Sequence, residues 1–346
     1  MNRTNINIYR ALKTSFIKFF IPLALLCLST AAPAQTLARK MVPSGRNAEK
    51  VITEENLRAD VEFLTDTLFH GRRTGTRGAN EAAFWITRRF ESRGLQMLGS
   101  SWSQSFRTAD GTVGHNIVGF LPGNRGAGNQ LYTIVAAHYD SFGVVDGRLL
   151  PGADSNASGV VAMLSIVDMF AKMKELGRSY GNNLIFVALD GREKNSAGAE
   201  DLWARISSLS LRDPVDGGVI RPDRVHSMVV LDILGSTMSP IHPGRDDYLM
   251  MLSDGHFTAD LVDANKADYL SLDISFNYYG SKSFTKMFHN RIGDQRIFVE
   301  NGVHCALFTS GITMLTNKEG DTADTLDYEI FKKRIFLIFH WFTKML

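Results

Sequence analysis

Between residues 131 and 193 the chain reads LYTIVAAHYD (131–140), PGADSNASG (151–159), VVAMLSIVDMF (160–170) and NNLIFVALDGRE (182–193). The first and last segments are near-continuous apolar runs that close on His138-Tyr139-Asp140 and Asp190-Gly191-Arg192-Glu193. Such runs predict strands covered on both faces. The middle segments predict a glycine-rich acidic turn that opens a mostly apolar helix over 160–172. Strand, turn, helix, strand is the repeating unit of an α/β sheet, in which ligands sit beyond the carboxyl ends of the strands.

The same alternation continues outward. Leu57, Val61, Leu64 and Leu68 recur at helical spacing, so 52–69 is predicted to be a helix starting near Thr53. A second helix is predicted over 81–93, with Ala82, Phe84, Ile86 and Phe90 facing inward. Further strands are predicted at 116–121, 228–234, 247–252 and 305–309, and helices at 197–206 and 328–345. His138, Asp190 and Asp232 each fall at or just past the end of a predicted strand.

The chain has 346 residues and a formal net charge of +2, from 38 Lys and Arg against 36 Asp and Glu. Arg3, Arg10, Lys13 and Lys18 precede the uncharged run FFIPLALLCLSTAAPA, which ends in a small-x-small signature at Ala32-Pro33-Ala34. This pattern predicts a cleaved signal peptide over 1–34 and an exported protein, periplasmic or extracellular. The run falls short of the ~20 apolar residues of a membrane span. Removing four basic residues and no acidic ones brings the balance to −2, so the basic excess belongs to the leader and gives no support for nucleic-acid binding. Residues 35–50 read as a flexible lead-in, and 51–346 as a single domain. Cys27 leaves with the leader and Cys305 remains alone, so no internal disulfide is expected. Cys305, in HCALF, is expected to be a buried small hydrophobe.

Several residue types carry possible chemistry. Period-two alternation puts His138 and Asp140 on one side of the chain, where a carboxylate can orient a metal-binding imidazole. The alternative is a satisfied histidine at a strand end. Asp154 opens a helix and is either a ligand or a cap. Asp190 and Glu193 suit a metal ligand or base, or a solvated turn. Asp232 lies inside MVVLDILG, and a carboxylate there must be paired, hydrogen-bonded or metal-bound. Oxygen and nitrogen ligands at adjacent strand ends suit zinc or a related divalent ion, hence a metal-dependent hydrolase.

The ordered motifs A-H-Y-D, G-A-D-S-N-A-S-G, F-V-A-L-D-G-R-E and V-V-L-D-I-L-G resemble the M28 family of zinc peptidases, mostly aminopeptidases with glutaminyl cyclase relatives. The resemblance implies a three-layer α/β/α sandwich around a mixed, mostly parallel central sheet, and a two-zinc site. Carried over position by position, it implies metal ligands at His138, Glu193 and Asp232, with Asp140 orienting His138. Three positions depart from the family pattern. Ser155 stands at the bridging aspartate, with Asp154 one place early. Arg192 stands at the general base, and Leu315 at the late histidine. The family's S-D-H segment reads Gly293-Asp294-Gln295. Arginine stays protonated and cannot act as a base.

These departures imply an exported pseudopeptidase with vestigial zinc binding or none, still able to bind a peptide or an amino terminus. In that reading Arg192 forms ion pairs with Glu193, Asp232 and Asp154. The alternative is an active zinc aminopeptidase with a mononuclear or rearranged site that uses Asp154 and recruits His304 or Asp321. Glutaminyl cyclase-like acyl transfer is disfavoured, because two of its three ligands are missing. His242, His256 and His289 are expected in solvated loops. Asp321-Thr322 and Asp324-Thr325 are expected to cap the last helix rather than order the late loop. No stable membrane span is expected after leader cleavage.

Overall fold

Strands Tyr132–His138, Asn183–Leu189, Val225–Leu231 and Cys305–Thr309 form the parallel centre of one mixed sheet, and their carboxyl ends meet at one edge. The computed structural model describes residues 46–126, 128–267 and 270–346. The expected signal peptide over 1–34 and most of the expected lead-in over 35–50 lie outside the described residues.

In chain order the first elements are α1 (Glu54–Leu64), α2 (Arg77–Ser92), β1 (Gln96–Met97), β2 (Ser103–Arg107), β3 (Val113–Leu121) and β4 (Tyr132–His138). A two-stranded hairpin of β5 (Gly143–Val145) and β6 (Arg148–Leu150) follows, then α3 (Ser158–Glu175), β7 (Asn183–Leu189), α4 (Ala197–Ser207) and β8 (Val225–Leu231). The chain continues through β9 (Tyr248–Ser253), α5 (Thr258–Ala267), β10 (Asp273–Ser275), β11 (Cys305–Thr309) and α6 (Tyr328–Met345). Short helical segments occupy Lys282–Met287 and Arg296–Glu300.

The strand order is β1-β3-β7-β4-β8-β11-β9-β10, with β2 also paired to β3. Antiparallel pairings flank the parallel centre at β3–β7 and at β9–β11. The core strands are buried on both sides because alternate residues feed two cores. Val135 and Ala137 of β4 join one cluster with Phe186 and Val229, while Ile134 and Ala136 join another with Val187 and Val230. The first core is covered by α1, α2, α3, α5 and α6, and the second by α4 and the 296–300 segment, which makes the α/β/α sandwich.

Some expectations shift. Thr53 caps α1 as read, accepting from Asn56 N at 3.2 Å, but the helix ends at Leu64. α2 begins four residues early, capped by Thr76, and Phe84 is exposed on its outer side. Arg46–Glu49 forms a helical turn with Ala48 and Glu49 buried, and Glu49 pairs with His340 of α6. The folded body therefore starts inside the stretch read as a flexible lead-in. β8 ends at Leu231, so Asp232 stands just past the strand. Residues 153–175 are long and apolar enough to cross a membrane, but 89% of an 18-residue window within them is buried in the fold, as in a core helix.

Candidate functional site

β4 delivers His138 to the sheet edge, β7 leads to Arg192 and Glu193, and β8 leads to Asp232. Together with Ser155 these residues line a cleft of ≈ 250 Å³. One wall is apolar, from Phe142, Ile233, Phe288, Ile292, Leu307 and Ile312. Parallel strands place their carboxyl-end loops side by side, so residues far apart in sequence converge without any local signal.

Asp140 does not orient His138. Its oxygens accept from the backbone amides of Arg192 at 3.1 Å and Glu193 at 3.3 Å, clamping the 192–193 turn. Asp294 takes the place beside the imidazole: its Oδ2 lies 3.2 Å from His138 Nδ1. The other oxygen, Oδ1, lies 3.9 Å from Arg192 Nε. Asp294 is 2% exposed and is not among the expected site residues, although it keeps the aspartate of the S-D-H segment to which the resemblance aligns it. Burial alone would raise the pKa of Asp294, but the His138 contact and the Arg192 charge outweigh it and hold it low. Burial opposes protonation of His138, yet Asp232 and Asp294 raise its pKa.

Arg192 projects among Asp294, Asp232, Asp140 and Glu193, with only 25% of its side chain exposed. Their charges outweigh its burial and keep it protonated. Asp154 is not part of this set. The 153–157 turn, entered through Gly152 at φ +66°, directs its carboxylate to Gly235 N at 2.7 Å and Ser236 N at 3.2 Å. Nor is Asp154 or Ser155 the side chain that bonds the start of α3. That role falls to Asn156, whose Oδ1 accepts from Gly159 N at 3.1 Å.

The remaining expectations resolve by geometry. Asp190 is held by Thr74, Gly191 N and His115 N at 2.8–2.9 Å, a structural knot rather than a cleft ligand. Asp321 accepts from Asp154 N at 2.7 Å and from Ser155 N and Oγ at 3.1 and 2.6 Å, so it orders the turn, while Asp327 caps α6 through Ile330 N. From the late loop, Ile312, Thr316 and Asn317 line the cleft, and Leu315 does not. His304 precedes β11, at the opposite end from the cleft-forming strand ends; it pairs with Asp254 at 2.6 Å and stacks on His256. His289 is buried rather than solvated, its Nε2 lying 3.1 Å from Cys305 O. Cys305 is buried as read.

The buried carboxyls have a consequence for pH. Burial and then the Asp190 charge push Asp140 up to about 7, and burial and then Asp140 push Glu193 to about 7. Burial and then Asp321 push Asp154 to about 6. The same groups in an unfolded chain titrate near ~4. Between those values the native state holds more protons than the unfolded one, so stability is greatest below the unfolded value and falls as pH rises through the folded values. His138, raised above 6.5, acts in the same direction. We expect the melting temperature, measured in chelator, to drop from pH 5 to pH 8. A flat or rising profile would show these charges to be compensated.

Residues 116–341 match the pattern that defines Peptidase family M28, well over half of the chain. The chain belongs to this family. The match begins inside β3 and leaves α1 and α2 outside it. The BOS complex subunit ncln of Danio rerio is 32% identical over 166 residues, which is 47% of this chain and 27% of that protein. The chain thus spans about a quarter of that relative's length. The alkaline phosphatase isozyme conversion protein of Escherichia coli is 29% identical over 162 residues, covering 42% of this chain and 45% of that one. Among solved structures, the zinc aminopeptidase BSAP of Bacillus subtilis superposes with a TM-score of 0.63 at 11% identity, covering 85% of this chain and 95% of the other. Porphyromonas gingivalis glutaminyl cyclase gives 0.60 at 15% identity, covering 85% and 99%. At those identities the shared property is the fold.

The residues present do not fit the two-zinc centre of the family resemblance. Among the described residues no group of three or more His, Cys, Asp or Glu is arranged to hold a metal ion. A guanidinium stands among the carboxylates instead, and the serine at the bridging position is hydrogen-bonded to Asp321 and Asn317.

Proposed function

We propose that this M28-family chain is a pseudopeptidase, exported by its leader to the periplasm or beyond, that binds the amino terminus of a peptide or amino acid without cleaving it. The observation that carries this reading is Arg192, held in an acidic nest at the position where the resemblance puts the general base. A protonated guanidinium cannot accept a proton, and its charge repels a dication beside it. Glu193 and Asp232 suit a ligand ammonium group, and the wall of Phe142, Phe288 and Ile312 suits an apolar side chain. The likeness to subunits of the BOS complex supports a use of this fold within an assembly. An active enzyme with a rearranged site would need Asp154, His304 or Asp321 in the cleft, and none of them lines it.

The test uses the purified full chain. Elemental analysis is expected to find no stoichiometric zinc, and leucine p-nitroanilide is expected to stay intact with or without added zinc. Leucinamide is expected to raise the melting temperature, and N-acetyl-leucinamide is not. Stoichiometric zinc with chelator-sensitive cleavage would overturn the reading.

A further inference from the structure

Arg192 is surrounded by acid and hydrogen-bonded to none of it. The charges of Asp294, Asp232, Asp140 and Glu193 all reach its guanidinium, yet the nearest carboxylate oxygen, Asp294 Oδ1, lies 3.9 Å from Nε. Nε is buried without a partner, and neither terminal nitrogen donates a hydrogen bond to any described residue. Other arginines of this chain spend their donors. Arg93 reaches Asp168 at 2.5 Å and Arg89 reaches Asp60 at 2.7 Å, while the buried Arg72 and Arg334 donate to backbone carbonyls. The base of Arg192 is nevertheless fixed, because Asp140 accepts from its backbone amide at 3.1 Å. The result is a positioned guanidinium whose fork is free and open to the cleft. Native proteins seldom leave such donors unpaired without a reason. Acceptors in the same cleft are unspent too. Glu193 Oε1 is buried without a partner, and the carboxylate of Asp232 has no hydrogen-bonded partner among the described residues. The cleft volume of ≈ 250 Å³ lies just under the ~300–1,000 Å³ of pockets for drug-sized ligands. These features fit a small ligand with one anionic group, one cationic group and an apolar part.

We propose that the cleft receives a free α-amino acid with an apolar side chain, and that Arg192 binds its carboxylate. The inference rests on the reading that the cleft holds an amino group without cleaving the bond beyond it. It narrows that reading, because the ligand becomes a single amino acid rather than the first residue of a peptide. A carboxylate matches the guanidinium fork with two parallel N–H donors. An amide or a peptide offers one neutral carbonyl oxygen at the same place, which is a weaker acceptor. Glu193 and Asp232 take the ammonium group, and Phe142, Phe288 and Ile312 take the side chain. A zwitterion adds no net charge to an acidic floor, whereas a simple carboxylate adds one more negative charge. Both ends of the ligand are therefore needed, and Arg192 is the residue that sets the preference for a free carboxyl group.

The experiment titrates the full chain, as wild type, Arg192→Gln and Arg192→Lys, with L-leucine, L-leucinamide and 4-methylpentanoate by calorimetry. Wild type is expected to bind leucine at least ~10-fold more tightly than leucinamide. 4-Methylpentanoate, which lacks the amino group, is expected not to saturate. Arg192→Gln is expected to lose at least ~10-fold in leucine affinity. Its leucinamide affinity should hold or rise, because a positive charge has left the neighbourhood of the ammonium group. Arg192→Lys keeps the charge without the fork, so its leucine preference should fall between the two. An arginine that only supported the fold would weaken both ligands alike, and that result overturns the proposal. If Arg192→Gln does not fold, Arg192→Lys decides: a reduced leucine preference supports the proposal and an unchanged one overturns it. Wild type that binds leucinamide as tightly as leucine, or leucinamide alone, overturns this proposal and leaves the proposed function standing. Wild type that binds neither overturns both.

Discussion

Replacing Arg72 by methionine is expected to lower the melting temperature by about 5 °C or more, or to abolish folding. Arg72 is fully buried, and its side chain donates to four backbone carbonyls: Tyr139 at 2.8 Å, Leu64 at 2.6 Å, Pro151 at 3.0 Å and Gly152 at 2.9 Å. Those carbonyls lie at the end of α1, just past β4, and on the approach to the 153–157 turn. One side chain therefore ties together the segments that frame the cleft. Methionine fills most of the space but leaves three of the acceptors unpaired, at ~1–3 kcal/mol each; Gly152 O keeps the Ala157 amide. Even the low end, about 3 kcal/mol in all, is a large part of the ~5–15 kcal/mol of a typical domain. For a domain of this size that corresponds to roughly 5 °C. Arg77→Met is the control: its side chain is 91% exposed, and it should change stability by no more than ~0.5 kcal/mol. Equal melting of the two variants would refute the assignment of Arg72 as a structural tie.

The second large effect is expected at Asp321→Ala. Its carboxylate is the acceptor for Asp154 N, Ser155 N and Ser155 Oγ, all buried. Burial raises its pKa, while these hydrogen bonds and the Arg72 charge pull the other way. Alanine strands two amides in the interior, leaves the Ser155 hydroxyl to Asn317 alone and removes a partner charge from Arg72, so a loss of ~3–5 kcal/mol is expected. Because Ser155 lines the cleft, the same substitution should also weaken the leucinamide response. Asp324→Ala changes a carboxylate that is 90% exposed, and it should do neither. If instead both variants cost the same and the cleft response survives, Asp321 is no more than a surface contributor to the approach of α6.

The central strands were legible for a specific reason. In β4, β7 and β8 both faces are buried, so an unbroken apolar run was the only pattern compatible with them, and the parallel order placed the residues just past their ends at one edge. Phe84 shows the limit of the same logic: helical spacing marks one face, but an aromatic ring can still lie outside it at 65% exposure. The short strands β1 and β10, and the hairpin, carry too few residues for any periodicity to register.

The candidate site was legible in part. His138, Glu193, Arg192 and Asp232 reach the cleft because each sits within a few residues of a strand end, and strand ends are fixed by pairing. Loop residues had no such frame. Asp154 reads like a ligand, yet it turns toward Gly235 because the turn's own amides are already claimed by Asp321. Asp140 reads like the partner of His138, yet the unpaired amides of 192 and 193 take its oxygens.

By itself, then, the sequence determined the layered fold and the chemical identities at the strand ends, including the arginine at the position where the resemblance puts a general base. Both follow from local properties, namely apolar runs and side-chain type. Only the tertiary structure decided which carboxylates share the cleft. It brought in Asp294, 156 positions after His138, and turned Asp154 away. Each loop carboxylate goes where unpaired amides and cations need it most, and that competition is settled by contacts between distant loops that no local pattern records.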